Sequence, residues 1–317
     1  MPSFFEDTSS RRVFLTGASG ALGRRVTRLL VSQGHHVTAL VHRSPVPSFP
    51  GPGTIRTIVG DLCGEALVDD AVADADVVCH LAAFLPPDYA DPAYAQACFE
   101  TNAMAVLRLA TCCAGAGKRL VHCSSGQAYA WSGDAITEDA ALYPAERATF
   151  YLASKLTGEL FVEHLRRRHG LASIVFRVGS CYGPGMERGS VVGFFMAQAS
   201  AGKPLPVHDG GTAECDFVHV DDVARLIEAA VRGGEPGVYN AGSGMAHSVL
   251  DLARAVRATF PDFAVTIEAQ PFAGEPQRSF PALSMAKTQA MWGHVPTSLV
   301  DGLAMLRARS EEPVPCA

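Results

Sequence analysis

Tyr151 and Lys155 stand four residues apart in a stretch that reads as a helix over Phe150–Arg168, so both side chains lie on one face. A phenol with a pKa near ~10 is a poor base at neutral pH. A neighbouring ammonium favours the phenolate and lowers that value. The pair can then take a proton from an alcohol or return one to a carbonyl. A Tyr and a Lys at this spacing arise by accident on many helices. Here they follow a strand-like run, Leu120–Cys123, that ends in Ser124 and Ser125, and they precede the apolar Leu156, Leu160 and Phe161.

A second signal lies at the start of the chain. The run Val13-Phe14-Leu15-Thr16 leads directly into Gly17-Ala18-Ser19-Gly20-Ala21-Leu22-Gly23. Glycines here serve a tight turn, close backbone approach to a pyrophosphate and helix–sheet contact. The helix that follows, Ala21–Ser32, offers unpaired N–H groups and a positive dipole end to phosphates. An ordinary strand–turn–helix is the plainer alternative, but the placement after a first strand favours a dinucleotide. An acid ending the second strand would bind the ribose of NAD, whereas an Arg suits the extra phosphate of NADP. The second strand, Val37–Val41, runs on into His42-Arg43-Ser44. Arg43, helped by His42, can hold a phosphate through its planar fork, or it is a solvated loop charge. NADP(H) is favoured and NAD(H) stays open.

These groups need a scaffold. Apolar strands are expected at Arg12–Thr16, Val37–Val41, Ile55–Val59, Val77–Leu81, Leu120–Cys123 and Ile174–Val178, with helices between them at Ala21–Ser32, Thr101–Ala114 and Phe150–Arg168. Continuous apolar strands are covered on both faces, and alternation with helices implies a parallel sheet with right-handed crossovers. The fold class is α/β, a Rossmann-type doubly wound sheet. After Val178, Gly183-Pro184-Gly185, Gly202-Lys203-Pro204 and Gly210-Gly211 break the rhythm. A strand–helix unit at Phe217–Val231 and a strand at Gly237–Ala241 then return. We expect a dinucleotide-binding domain of residues 11–178 plus 216–243. A smaller, interleaved substrate lobe would comprise 179–215 plus 244–310, with tails at 1–10 and 311–317.

The chain has 317 residues, 48% hydrophobic and 18% charged, which fits a well-cored enzyme and excludes disorder. Its net charge of −6 argues against nucleic-acid binding. No apolar run reaches the roughly 18 residues of a membrane span, and no signal peptide is evident, so a cytoplasmic location is expected. Nine cysteines occur without a Cys-x-x-Cys pair, and the 11 histidines form no His-Glu-x-x-His. Neither a metal nor a disulfide framework is expected.

In full the loop reads Thr-Gly-x-x-Gly-x-x-Gly. With Gly60-Asp61-Leu62, His80-Leu81-Ala82-Ala83, Ser124-Ser125, Tyr151-x-x-x-Lys155, Arg177 with Tyr182-Gly183-Pro184, and Phe217 to Asp222, the chain resembles the extended short-chain dehydrogenase/reductases. That branch contains nucleotide-sugar epimerases and dehydratases. The likeness continues through Tyr239–Gly244 and Trp292-Gly293-x-x-Pro296 and spans nearly the whole chain. It implies that Asp61 and Leu62 hold the adenine and that Leu81, Ala82 and Ala83 line the cofactor's middle, although Asp61 also reads as a turn residue. It further implies cofactor contacts from Gly17, Ser19, Gly20, Ala21, Leu22, Gly23, Asn102 and Val178, and that Lys155 holds the nicotinamide ribose. Ser125, counted back from Tyr129, takes the catalytic hydroxyl position, with Ser124 as second choice. Phe84, Ser125, Gly126, Gln127, Ser180, Cys215 and Arg278 fall at substrate positions. A homodimer through the helices Thr101–Ala114 and Phe150–Arg168 is also implied.

Departures from the pattern narrow the chemistry. Dehydratases of the family follow the catalytic hydroxyl with an Asp-Glu pair; here Gly126 and Gln127 cannot supply that acid and base. Family contacts to a diphosphate are replaced by Ser180 and Cys215. The expectation is hydride transfer at a carbonyl or carbinol carbon, most simply as a nucleotide-sugar C4 ketoreductase or 4-epimerase. The alternative is an NADPH carbonyl reductase acting on a non-sugar ketone. A cofactor-sensing protein without turnover is disfavoured by the presence of Tyr151 and Lys155.

Overall fold

The computed structural model describes residues 9–62, 65–130, 135–142, 148–186, 189–271, 280 and 282–310. Arg278 and the segment 311–317 lie outside them. The chain opens with β1 (Arg12–Thr16), α1 (Ala21–Ser32), β2 (His36–Val41), β3 (Thr54–Val59), α2 (Glu65–Asp74) and β4 (Val77–His80). Next come α3 (Ala95–Phe99), α4 (Ala105–Ala116), β5 (Arg119–Ser125), α5 (Thr149–His169), β6 (Ser173–Val178) and the short β7 (Ser180–Tyr182). The second half holds α6 (Val191–Ser200), β8 (Leu205–Val207), β9 (Glu214–His219), α7 (Val220–Arg232), β10 (Gly237–Ala241) and β11 (Ala246–Ser248). It ends with α8 (Val249–Thr259), β12 (Ile267–Ala269), α9 (Ala286–Trp292) and α10 (Leu299–Ser310).

Seven parallel strands form the main sheet in the order β10-β6-β5-β4-β1-β2-β3. Side chains alternate across it. Val13 and Leu15 of β1 face one core with Val26 and Leu30 of α1 and Ile227 of α7, while Phe14 faces the other with Leu109 and Val162. Each such fully buried large apolar side chain contributes roughly 1.5–3 kcal/mol. The buried residues of α1, at 23, 26, 27, 30 and 31, follow the helical period that lays one stripe on the sheet.

A third core gathers Tyr182, Phe195, Leu205, Phe217, Leu252, Phe260 and Leu303 around two small sheets, β11-β9-β7 and β12-β8. The chain then returns to the main sheet. Trp292 of α9 packs on Phe176 and Tyr239, with ring centroids 5.5 and 4.7 Å away, and donates to the Gly233 carbonyl at 3.1 Å.

The expected single helix at Thr101–Ala114 is in fact α3, a π turn at Glu100–Met104, and α4. The wider turn carries Asn102 and Ala103 fully into the interior. The Asn102 amide accepts from Phe84 N at 2.8 Å and donates to Phe84 O at 3.0 Å and Ser154 Oγ at 3.1 Å.

Candidate active site

Strand order reverses at β1, which pairs with β2 on one side and β4 on the other. Crevices at the carboxyl ends of such strands hold ligands in open α/β sheets. Here that crevice is a groove of about 1140 Å³ running from the β1–α1 turn to the start of α6.

Glycine is required at two places in the turn. Gly17 has φ 76°, and a Cβ there would sit 2.6 Å from Ala82 N. A Cβ on Gly23 would sit 2.0 Å from the Gly17 carbonyl. Gly20 caps α1 without a side-chain bond, so the helix presents its first N–H groups and positive end toward the groove. A dinucleotide pyrophosphate fits this bare cradle, with Ser19, Gly20, Ala21 and Leu22 around it. His42, Asp61 and Leu62 line one end, and Leu81, Ala82, Ala83 and Val178 the middle.

At the other end Tyr151 and Lys155 line the same wall. Lys155 is only 3% exposed and donates to the Cys123 carbonyl at 2.6 Å. Burial pushes its pKa down to about 8, and Cys123 and Glu159 partly offset this. The phenol of Tyr151 does not show the acidification expected from its neighbour. Burial pushes it above its ordinary value, and Tyr89, Cys98 and Cys123 act in the same direction. The reason is physical: the ammonium is itself withdrawn from water and spent on a backbone carbonyl, while low-polarity surroundings disfavour the phenolate.

Ser125 Oγ accepts from Gln127 N at 3.3 Å, which leaves its own hydrogen free to donate. Ser124 Oγ is buried without a hydrogen-bond partner and also lines the groove. Behind them a buried network fixes the floor. Arg177 donates to both Glu159 oxygens at 2.8–3.2 Å and lies 4.8 Å over the Tyr129 ring. Tyr129 in turn donates to Asn240 at 2.7 Å.

Most residues singled out in the sequence thus meet in one groove, including Phe84, Gln127, Ser180 and Cys215. Three described ones are not on its lining. Arg43 is exposed beside it, Asn102 is buried behind Phe84, and Gly126 is buried in the tight turn after β5. Arg278 is outside the described residues. The sequence reading misses Leu85, Tyr89, Met186, Val191, Val192 and Phe217 as lining residues. Leu85, Tyr89 and Met186 come from loops, Val191 and Val192 from the start of α6 and Phe217 from β9, and no periodicity shows that they meet at the groove. Among the described residues no cluster of three or more His, Cys, Asp or Glu side chains could hold a metal, and no helix is long and apolar enough to cross a membrane.

The sequence matches the NAD dependent epimerase/dehydratase family over residues 13–242, and the chain belongs to it. Its relatives are enzymes, and the chain is an NAD(P)-dependent oxidoreductase or epimerase by family. It is 29% identical over 263 residues to the dTDP-glucose 4,6-dehydratase of Streptomyces niveus, covering 77% of this chain and 76% of that one. It is 35% identical over 237 residues to a 3-diazoavenalumate denitrifying reductase from a Streptomyces species, covering 71% and 74%. Among solved structures, MoeE5 in complex with UDP-glucose and NAD superposes with a TM-score of 0.79 at 28% identity, over 95% of this chain and all of that one.

Proposed function

We propose that this protein moves a hydride at the C4 carbonyl or carbinol carbon of a nucleotide sugar, as a ketoreductase or 4-epimerase and not as a dehydratase. The observation that carries the reading is the convergence of Tyr151, Lys155 and Ser125 at one end of a groove whose other end is a glycine cradle for a dinucleotide. A bound nicotinamide supplies the hydride donor or acceptor. Ser125 donates to the substrate oxygen, where developing charge gives such a bond its largest effect. Tyr151 gives that oxygen its proton in reduction and takes it in oxidation. Lys155, anchored on the Cys123 carbonyl at the same end of the groove, would hold the nicotinamide ribose.

The reading against dehydration is supported at Gly126 and Gln127. Removing water needs an acid–base pair, and an amide exchanges no proton there. A Cβ at residue 126 would lie 2.9 Å from Leu283 Cδ1, so a carboxylate would need Leu283 to move. NADP(H) is the cofactor we favour, because His42 lines the adenine end and no carboxylate closes β2.

A second reading, reduction of a non-sugar ketone with NADPH, has its own support. Met186, Val191, Val192, Cys215 and Phe217 make one wall of the groove largely apolar. The relative with 35% identity is a reductase in name, not a sugar-nucleotide enzyme. We assign the substrate lobe to residues 179–215 with 244–310, of which α9 returns to the main sheet.

Calorimetric titration with UDP and dTDP separates the readings, since millimolar silence toward both favours the non-sugar ketone. Tyr151→Phe should lower turnover at least roughly 100-fold while sparing cofactor affinity. Retained activity would mean that another group carries the proton.

A further inference from the structure

The reacting end of the groove is lined by a strap that the family motifs do not include. Between β4 and α3 the chain runs through Leu85-Pro86-Pro87-Asp88-Tyr89, and both Leu85 and Tyr89 line the groove. Two consecutive prolines fix φ and withhold N–H donors, and the chain bends from Pro87 to Ala90. One end is pinned, where Asn102 clamps Phe84 through N and O. The other runs into a local cap, Asp91 accepting from Ala93 N at 2.8 Å. The clamp reaches the catalytic helix as well, because Asn102 donates to Ser154 Oγ and Ser154 donates to the Tyr151 carbonyl at 2.7 Å. From this strap the Tyr89 ring stands edge-on to Tyr151, with centroids 5.5 Å apart and planes at 88°. That is the favourable arrangement for two aromatic rings.

We propose that Tyr89 is a positioning residue for the reaction, holding the Tyr151 ring in place and shielding it from water. This rests on the reading of Tyr151 as the proton donor. The groups that face Tyr151 are Tyr89 from the strap, Cys98 from α3, Cys123 from β5 and Lys155 one turn along α5. Of these the strap residue is the one open to solvent on its far side, at 37% exposure, so it is the screen that a substitution can lift.

The test titrates Tyr151 itself and needs no substrate. Phenolate absorbance is followed against pH in the protein loaded with oxidised cofactor, each protein being subtracted from its Tyr151→Phe counterpart. Tyr89→Leu should lower the Tyr151 midpoint by about one pH unit, because water reaches the phenolate. Tyr89→Phe keeps the ring edge and should lower the midpoint less than Tyr89→Leu does. Melting temperature and cofactor affinity verify the fold, and Tyr89→Met replaces the Leu variant should that one not fold. A merely structural Tyr89 would lower the melting temperature without moving the midpoint. An unchanged midpoint in Tyr89→Leu, or no Tyr151 signal in either protein across the stable pH range, overturns the proposal. Full turnover by Tyr151→Phe would instead sink the assignment of the proton donor, so the two failures are told apart.

Discussion

Lys155 carries a charge that the fold discourages. With its folded pKa near 8 and an ordinary lysine value above 10, the unfolded chain holds one more proton than the native state between those limits. Stability therefore rises with pH across that window, and the cost of the buried ammonium is fully present below pH 8. The gain amounts to about 3 kcal/mol at most. Denaturant unfolding of the parent at pH 7 and pH 9, set against Lys155→Met, reads about the first 1.4 kcal/mol of it. The parent should gain on the variant as pH rises, and parallel behaviour would show that the lysine titrates normally. A lysine kept at that cost is consistent with use in the reaction rather than in the framework.

At the scale of elements, the π turn between α3 and α4 gives a specific expectation. Asn102→Ala removes three hydrogen bonds and leaves the Phe84 N–H and carbonyl without their partner. The stability loss should be about 1–3 kcal/mol, measured by denaturant unfolding. Cofactor affinity should fall with it, because Phe84 adjoins Ala82 and Ala83 in the groove wall. Asn102 itself touches no groove surface, so an unaltered affinity would assign it to the helix alone. The π turn also explains what the sequence conceals. Apolar spacing through residues 101–114 suits a single helix, and slipping the hydrogen bonds by one position hardly alters that pattern. By contrast β1, α1 and β10 are legible to the residue, since β1 carries a run of three apolar residues, β10 is opened by a glycine and closed before Gly242, and α1 shows one clean stripe. The pair Tyr151 and Lys155 is legible because helical geometry alone puts it on one face. Tyr89 is not, for its approach to Tyr151 depends on the route of a loop. The three-residue strands β7, β8, β11 and β12 are likewise too short to show an alternation.

For the whole molecule, apolar side chains stand exposed on α5 and on the turn before α4: Leu160 is 61% exposed and Met104 53%. Both lie within the two segments through which the family resemblance implies a homodimer. If these helices pair, Leu160→Glu should shift a dimer to monomer in sedimentation velocity at micromolar concentration, since an unpaired charge buried in a subunit contact is strongly unfavourable. A parent that already sediments as a monomer would remove this assignment.

The main sheet is tied off late in the chain. Asp216, 2% exposed, collects N–H groups from Ser243, Gly244 and Leu283 and the Ser243 hydroxyl. Asn240 on β10 donates to the Ile136 and Ser284 carbonyls, and its own carbonyl accepts from Thr288. Trp292 then plugs the core beside Phe176. A nascent chain emerging from the ribosome up to residue 280 would hold every strand of that sheet yet lack the Leu283 N–H on Asp216, the Ser284 and Thr288 contacts of Asn240, and the Trp292 ring against Phe176. The complete network closes only when the residues after 280 have emerged. A stop codon there should yield a species that proteases digest during synthesis, however complete its nucleotide cradle.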